Sequence, residues 1–204
     1  MATHALPANA DRTLTERIGA LGQGGVRRQV GAWLAAARDA RGLSPFDLRI
    51  RLHNRGYQTS HETIRQLEAG RGPLHLVRLY YLCEELLPAG QNPLAAFQRQ
   101  ARLRMPRKKV PPERVIRQRL GAWFRRERQA QGWSQFQLLM HLWGLSQKPC
   151  EEAIRDLERG VSRPDLFRLY FLCEALFPDQ NPLAPFFTTA LDETTPSART
   201  SRAG

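Results

Sequence analysis

Cysteine and histidine are the residue types that most often perform catalysis or bind metal, and neither forms a reactive cluster in this chain. The three cysteines, Cys83, Cys150 and Cys173, are too few and too widely spaced for a disulfide framework or a zinc site. None of the five histidines belongs to an H-x-x-x-H or mixed Cys/His cluster. The sequence also lacks a phosphate-binding Walker loop, a nucleophile elbow and a pair of catalytic carboxylates. We therefore expect neither an enzyme nor a bound metal or cofactor.

Arginine offers a different chemistry, the binding of polyanions. Lys and Arg number 31 against 19 Asp and Glu, which gives a formal charge of +12 and an isoelectric point near 10.9. The surplus is concentrated in residues 98–114, which hold seven basic residues and one acidic residue. A balance of this kind favours nucleic acid as the partner, and an anionic membrane surface less often.

The chain shows no signal for a membrane or for secretion. No stretch approaches the roughly 18 to 20 uninterrupted apolar residues that a membrane helix requires. The N-terminus lacks the basic start and apolar core of a secretory signal, and the sparse cysteines suit a reducing compartment. We expect a cytoplasmic, nucleoid-associated protein with no membrane partner.

The chain contains the same unit twice. RQVGAWLAAARDARGLSPFDL, from Arg28, recurs 90 residues later as QRLGAWFRRERQAQGWSQFQL, from Gln118. Between residues 27 and 88, 26 of 62 positions are identical at that offset, and NPLAAF then aligns with NPLAPF. This is a duplicated unit of about 70 residues. We call residues 26–97 copy one and residues 115–187 copy two.

Each copy is predicted to form a series of short α-helices. Apolar residues recur at spacings of three and four, and no run alternates well enough to predict a strand. Gly42 and Gly132 predict left-handed helix ends, and Ser44 and Ser134 predict the caps of the helices that follow. The predicted class is all-α.

Four residues at equivalent positions are expected in the core of the copies. Trp33 and Trp123 are predicted to be buried anchors, and Cys83 and Cys173 are predicted to be small buried apolar side chains.

Both copies resemble the Cro and phage-repressor (XRE-like) helix-turn-helix family. The resemblance lies in a helix that ends in Gly-Leu-Ser, a second helix, a turn and then TIRQLEAGR. It implies two tandem five-helix, lambda-repressor-like helix-turn-helix domains. It also implies an ion pair between the first helix and the end of the recognition helix, here Arg38 with Glu68 and Arg128 with Glu158. The stretch between the second and third helices is longer than the usual turn of the family, so the second helix is longer or the turn is wider.

The expected domain plan follows from this resemblance and from the basic, proline-containing segment between the copies. It comprises an N-terminal tail that allows a short helix (1–25), domain 1 (26–104), a basic linker (105–114), domain 2 (115–188) and a disordered tail (189–204).

In copy one the resemblance implies a recognition helix that starts near Ser60 and enters the major groove of DNA. Ser60 would cap that helix beside a phosphate. Gln66 can bridge adenine N6 and N7, and Arg65 and His61 can reach guanine. Glu62 shares this face. The basic residues expected to clamp the DNA backbone are Arg49, Arg51, Arg55 and Arg71.

Copy two presents a more acidic face at the equivalent positions, and Cys150 replaces the serine cap. The residues of that face are Glu151, Glu152, Arg155 and Asp156. Acids there would repel phosphates, although glutamate can accept from cytosine N4. Gln135 matches the phosphate-binding glutamine of the family. The remaining basic surface comprises Arg125, Arg126, Lys148, Arg159 and Arg163. We expect copy one to dominate base readout, and copy two to bind weakly or to serve in pairing.

The sequence therefore predicts a sequence-specific transcriptional regulator, with repression preferred over activation. Two linked domains can span half-sites about one DNA turn apart, or a homodimer can present only the two first copies. Two alternatives remain open. One is an antitoxin-like or accessory factor whose second domain grips a protein partner. The other is a non-specific architectural DNA binder that relies on phosphate contacts.

Overall fold

The structure, a computed structural model, describes residues 13–103, 105–106, 111–163, 165–178 and 180–192. These residues form ten α-helices and no β-strand, which confirms the predicted all-α class. In order, the helices are α1 (Leu14–Ala40), α2 (Pro45–Asn54), α3 (His61–Glu68), α4 (Leu76–Leu86), α5 (Ala95–Gln100), α6 (Glu113–Ala130), α7 (Gln135–Gly144), α8 (Glu151–Glu158), α9 (Leu166–Leu176) and α10 (Ala184–Asp192). None of the helices in the described ranges combines the length and apolar composition needed to cross a membrane.

Side-chain caps begin the second helix of each copy, as the sequence predicts. Ser44 accepts a hydrogen bond from the backbone N–H of Asp47, and Asp47 accepts one from the backbone N–H of Ser44. Ser134 forms the same reciprocal cap at α7. Gly42 and Gly132, just before these caps, have φ of +62° and +73°, the left-handed conformation predicted for them. The ends of these helices are thus encoded locally.

The repeated Asn-Pro-Leu segment sets the direction in which the fifth helix leaves the fourth. The buried Asn92 amide donates to the carbonyl of Tyr80 at 3.1 Å and to the carboxylate of Glu84 at 2.9 Å. Its oxygen accepts from the backbone N–H of Leu94 at 3.0 Å. Asn181 makes the same three bonds to the equivalent residues of copy two. Because a buried amide is costly to leave unpaired, this arrangement fixes the start of the fifth helix.

The fifth helix of each copy packs on the other copy. Phe186 in α10 meets Trp33 in α1 edge to face, with ring centroids 5.8 Å apart. Phe97 in α5 meets Trp123 in α6 in the same way at 5.5 Å. All four rings are buried, so the prediction that both tryptophans are core anchors is confirmed. The exchange joins both copies in one hydrophobic core.

The N-terminal part of α1 extends this contact. The helix bends at Gly22, which has φ 60° and ψ 175°. Before the bend, Ile18 is fully buried, Thr15 Oγ1 lies 2.9 Å from the hydroxyl of Tyr170, and Arg17 pairs with Asp192 at 2.7 Å. This segment therefore lies against α9 and α10 of copy two.

A backbone junction also joins the two copies. The N–H of Leu166 donates to the carbonyl of Leu74 at 2.8 Å, and His75 and Asp165 form an isolated antiparallel bridge. The buried Asp165 carboxylate accepts from Arg27 of α1 at 2.8 Å. Contacts from α1 and from the segment before α4 therefore converge on the start of α9.

The helices reach beyond the predicted domain boundaries. α1 begins inside the predicted N-terminal tail, and α10 extends into the segment 189–204 that was predicted to be disordered. At the start of the predicted linker, Met105 is buried and the carbonyl of Pro106 accepts from the hydroxyl of Tyr81 at 3.0 Å. The other predictions for the tails and the linker concern residues 1–12, 104, 107–110 and 193–204, which lie outside the described residues.

Because the core is shared, we expect Phe186→Ala to destabilise both copies together. Loss of a buried phenylalanine costs about 3–5 kcal/mol of unfolding free energy. Calorimetry should show one cooperative transition for the wild-type protein and one transition at lower temperature for the variant. Phe136→Ala, which removes a ring that is 58% exposed, is the control and should move Tm little. Two transitions, only one of which shifts, would contradict the shared core.

Acidification should weaken the junction at His75. Burial lowers the pKa of this imidazole, Arg78 lowers it further, and Glu113 and Asp165 oppose the shift. The folded protein therefore holds His75 neutral, whereas the unfolded chain takes up a proton below its ordinary pKa of about 6.5. Stability should thus fall as the pH drops below about 6.5. Between pH 7.5 and 5.5, Tm should fall more for the wild-type protein than for His75→Gln. Parallel pH profiles of the two proteins would show that His75 does not contribute.

Candidate nucleic-acid interface

Glycine allows α1 to approach the end of α3 at van der Waals distance. A Cβ placed on Gly31 would lie 2.5 Å from the carbonyl oxygen of Leu67 and 2.6 Å from that of Glu68. Gly70, just past α3 with φ +70°, would place a Cβ 2.7 Å from the Cα of Arg28. Gly121 and Gly160 repeat this approach between α6 and α8. The position of each third helix is therefore set by backbone contact, where no side chain can adapt.

An ion pair fastens the same point in each copy. Arg38 donates to the two carboxylate oxygens of Glu68 at 2.6 and 3.1 Å, and also to the carbonyl of Leu43 at 2.6 Å. Hydrogen bonding to Glu68 raises the pKa of Arg38 against the opposing effect of burial. Arg128 pairs with Glu158 at 2.6 and 3.0 Å. Both pairs implied by the resemblance are thus present, and they tie the first helix to the third.

The outer face of α3 is available to a partner. Ser60 caps the helix by accepting from the backbone N–H of Thr63 at 3.0 Å, as predicted. His61, Glu62 and Arg65 are exposed, and Gln66 is half-buried and donates to the Glu62 carboxylate at 2.6 Å. The opposite face packs in the core through Ile64 and Leu67. The predicted contact residues therefore lie together on one side of the helix.

An aromatic residue that sequence reasoning missed adjoins this face. Phe46 in α2 is 51% exposed, and the guanidinium of Arg49 lies 4.8 Å from the centre of its ring. The ring of His61 is 6.5 Å from that of Phe46. The start of α2 and the start of α3 thus form one continuous surface. Copy two has a phenylalanine, Phe136, at the equivalent position. This repetition was the sequence signal that could have identified Phe46.

The predicted phosphate clamp of copy one is only partly available. Arg51 and Arg71 are exposed, as the prediction requires. Arg55 instead turns toward α4, where it pairs with Glu85 and lies 4.0 Å from Glu84. A cation that is occupied by a buried acid is poorly placed to hold a phosphate, so Arg55 belongs to the fold and not to this surface.

The corresponding surface of copy two carries a different charge. Glu151 and Glu152 are exposed at the start of α8, and Arg155 pairs with Glu151 at 3.3 Å. Cys150 precedes them and makes no capping hydrogen bond with its side chain. Gln135, the predicted phosphate ligand, donates to Glu158 at 2.8 Å instead. The acidic character predicted for this face is retained in the fold.

Copy two nevertheless has a basic recess beside Gln135. It has a volume of about 310 Å³ and is lined by Arg125, Arg128, Gln135, Arg155, Glu158 and Arg159. Arg128 neutralises Glu158, which leaves Arg125 and Arg159 as exposed cations at its edge. Lys148 and Arg163 lie elsewhere, at a second cavity beside α9, and Arg163 pairs with Glu113 at 3.2 Å. Arg125 and Arg159 therefore lie at the recess and Lys148 and Arg163 at the other cavity, whereas Arg126 lines neither and pairs with Glu127 at 3.5 Å.

Cys83 and Cys173 fit the interpretation as packing residues, whereas Cys150 is exposed. Cys83 and Cys173 are fully buried, and burial raises the pKa of both thiols. A buried thiol of this kind is a poor nucleophile. Within the described ranges, no group of three or more His, Cys, Asp or Glu residues is arranged to hold a metal ion.

Comparison of the chain with models of protein families, with characterised proteins and with solved structures gives no match. Any assignment of function therefore rests on the residues and contacts described above.

We expect Gly31→Ala to destabilise the protein, because the added methyl group meets two backbone carbonyls that cannot rotate away. The overpacking should lower the free energy of unfolding by about 1–3 kcal/mol in denaturant titrations. Gly19→Ala is the matched control, since no atom lies within 4 Å of its added Cβ. That change should raise stability by about 0.5–1 kcal/mol through helix propensity. Equal stabilisation by both substitutions would mean that α1 and α3 can separate freely.

Proposed function

We propose that the protein is a sequence-specific DNA-binding regulator of transcription, in which α2–α3 and α7–α8 are two tandem helix-turn-helix units. The observation that carries this proposal is the outer face of α3. His61, Arg65 and Gln66 are base-reading residue types on one side of a helix whose other side is anchored in the core. Gly31 and the Arg38–Glu68 pair hold that helix rigidly, which a specific reader requires.

The charge around α3 supports the same role. Arg51 and Arg71 are exposed and suited to phosphates, and Ser60 caps a helix start that favours an anion. With a net charge of +12, the chain as a whole attracts a polyanion. Phosphate contacts of this kind position a protein on the duplex, and the base-reading face then selects the sequence.

We assign the two copies different roles on DNA. Copy one reads bases, since its α3 face combines Arg65, Gln66 and His61 with a single acid, Glu62. The α8 face carries three acids at the equivalent positions, which oppose entry into a groove lined by phosphates. The arginine-lined recess beside Gln135 suits a single backbone phosphate. Copy two thus adds a backbone contact and orients copy one through the shared core.

A second candidate function has a specific observation in its favour. Phe136, Met140 and Trp143 lie at i, i+4 and i+7 of α7 and are 58%, 46% and 47% exposed. Next to them lies the acidic start of α8. A basic, amphipathic helix of a protein partner would complement this surface by charge and by apolar contact. Loss of partner binding on neutralising the acids of α8, with duplex affinity unchanged, would identify this function.

Alanine substitution in α3 should weaken duplex binding selectively. A lost bidentate base contact costs about 1–3 kcal/mol, so Arg65→Ala and Gln66→Ala should lower affinity for a preferred duplex and reduce its advantage over unrelated duplexes. Arg71→Ala should weaken all duplexes alike and reduce the salt dependence by about one phosphate contact. Fluorescence anisotropy over a range of salt concentrations measures both effects.

Arg155→Ala is the matched control, since Arg155 occupies in copy two the position of Arg65. Its effect on affinity should be clearly smaller. Equal losses from Arg65→Ala and Arg155→Ala would contradict the division of roles. Unchanged affinity in both variants would exclude base readout through these helices and favour the protein-binding function.

A further inference from the structure

Copy two contains a cavity of about 500 Å³ between the end of α7, the first turn of α8 and the side of α9. Its apolar wall includes Leu142, Ile154, Leu157, Phe171 and Leu172. Its polar lining includes Lys148, Arg163 and Arg168, together with Gln147 and Cys150. The volume falls in the range of roughly 300–1,000 Å³ that is typical of small-molecule sites. Neither the helix packing nor the proposed base reading accounts for this cavity.

In copy one, a tyrosine ring occupies the corresponding place. Tyr57 stacks on Tyr81, with ring centroids 5.5 Å apart and planes 20° apart, and packs against the hydrophobic core. Burial raises the pKa of Tyr57, and the positive charge of Arg78 opposes that rise. Copy one therefore stacks one aromatic ring on an aromatic floor, Tyr81, within the electrostatic influence of an arginine.

Copy two keeps the floor and the arginine but lacks the ring. At the 90-residue offset, Phe171 corresponds to Tyr81 and Arg168 to Arg78, whereas Gln147 stands where copy one has Tyr57. Phe171, Arg168 and Gln147 all line the cavity. The cavity therefore contains the space that a phenol ring fills in the other copy.

The polar side of the cavity favours an anion. Arg163 is paired with Glu113 at 3.2 Å, whereas Lys148 and Arg168 have no acidic side-chain partner in the described part of the chain. Asp165, a buried acid three residues before Arg168, accepts from Arg27 and Gln23 of α1 and from the backbone N–H of Arg168. Two cations thus remain available beside an apolar wall.

We propose that this cavity binds an aromatic acid, a small molecule with a carboxylate or phenolate on an aromatic ring. The ring would lie on Phe171, as Tyr57 lies on Tyr81, and the oxyanion would meet Arg168 and Lys148. A phosphate group of DNA or free phosphate would satisfy the cations but leave the apolar wall empty. The aromatic body is therefore the part of the ligand that the cavity selects.

The test is calorimetric titration of the full chain, without DNA, with 2-naphthoate as the probe. Wild-type protein should bind one molecule per chain. Gln147→Tyr restores the ring of copy one and should weaken binding at least tenfold. Arg168→Leu should also weaken it about tenfold, as should replacement of the probe by neutral 2-naphthamide. Gln129→Tyr, which adds the same ring at an exposed position of α6, should leave the affinity unchanged.

Three results would overturn the proposal: no saturable binding by the wild-type chain, equal affinity in Gln147→Tyr, or full displacement of the probe by an equal concentration of inorganic phosphate. Should Gln147→Tyr fail to fold, as judged by circular dichroism, NMR of the wild-type chain decides. Probe-induced shifts at Phe171, Ile154 and Leu172 support the site, and shifts confined to residues outside the cavity contradict it. Failure of DNA binding would leave this result unaffected, since no duplex is present.

Discussion

Helix α1 meets the end of α3 at Gly31, and α6 meets the end of α8 at Gly121, so closely that neither position has room for a Cβ. In each copy, an arginine further along the first helix donates hydrogen bonds to the last glutamate of the third helix. It also donates to a carbonyl of the turn that follows the first helix. Backbone contact fixes the distance between the helices, and the ion pair fixes their rotation. A buried pair of this kind contributes more to orientation than to net stability. The exposed face of α3 and the cavity beside α8 both depend on this frame.

Local features of this fold could be predicted from the sequence because local chemistry determines them. The serine caps and the left-handed glycines involve residue types that have few other uses in that pattern. The two ion pairs join residues that are 30 positions apart, and only the family resemblance implied them. Because the unit is duplicated, the sequence shows each of these features in both copies. The role of Gly31 and Gly121 was missed, although the shared GAW segment contains both. A glycine within a helix can be recognised as a site of close helix–helix contact only when the helix that packs on it is known.

Features that depend on contacts between the copies could not be predicted. Phe97 and Phe186 end the matching NPLAAF and NPLAPF segments, but the sequence does not indicate that each packs on the tryptophan of the other copy. Arg55 looked like a surface cation because its partners, Glu84 and Glu85, are distant in sequence and reach it only through α4. The cavity was invisible for the same reason. The replacement of Tyr57 by Gln147 matters only because a ring stacks there in copy one.

The two copies share a frame and differ in what they expose. Copy one combines an arginine, a glutamine and a histidine on α3 with exposed arginines around it, whereas copy two combines an acidic α8 with an apolar stripe on α7 and an open cavity. Because the exchanged fifth helices join the copies in one core, copy two is firmly connected to the copy that carries α3. Under the proposed function, copy one is the reader of bases and copy two is its supporting unit.

The most direct measurement is selection of binding sites by the full chain from a pool of random duplexes at moderate salt, followed by footprinting. The account predicts enrichment of one short motif, read by copy one, beside a protected stretch without sequence preference where copy two touches the backbone. A pool that stays random would contradict sequence-specific binding. Enrichment of a perfectly two-fold symmetric site by one chain would contradict the different roles of the two copies.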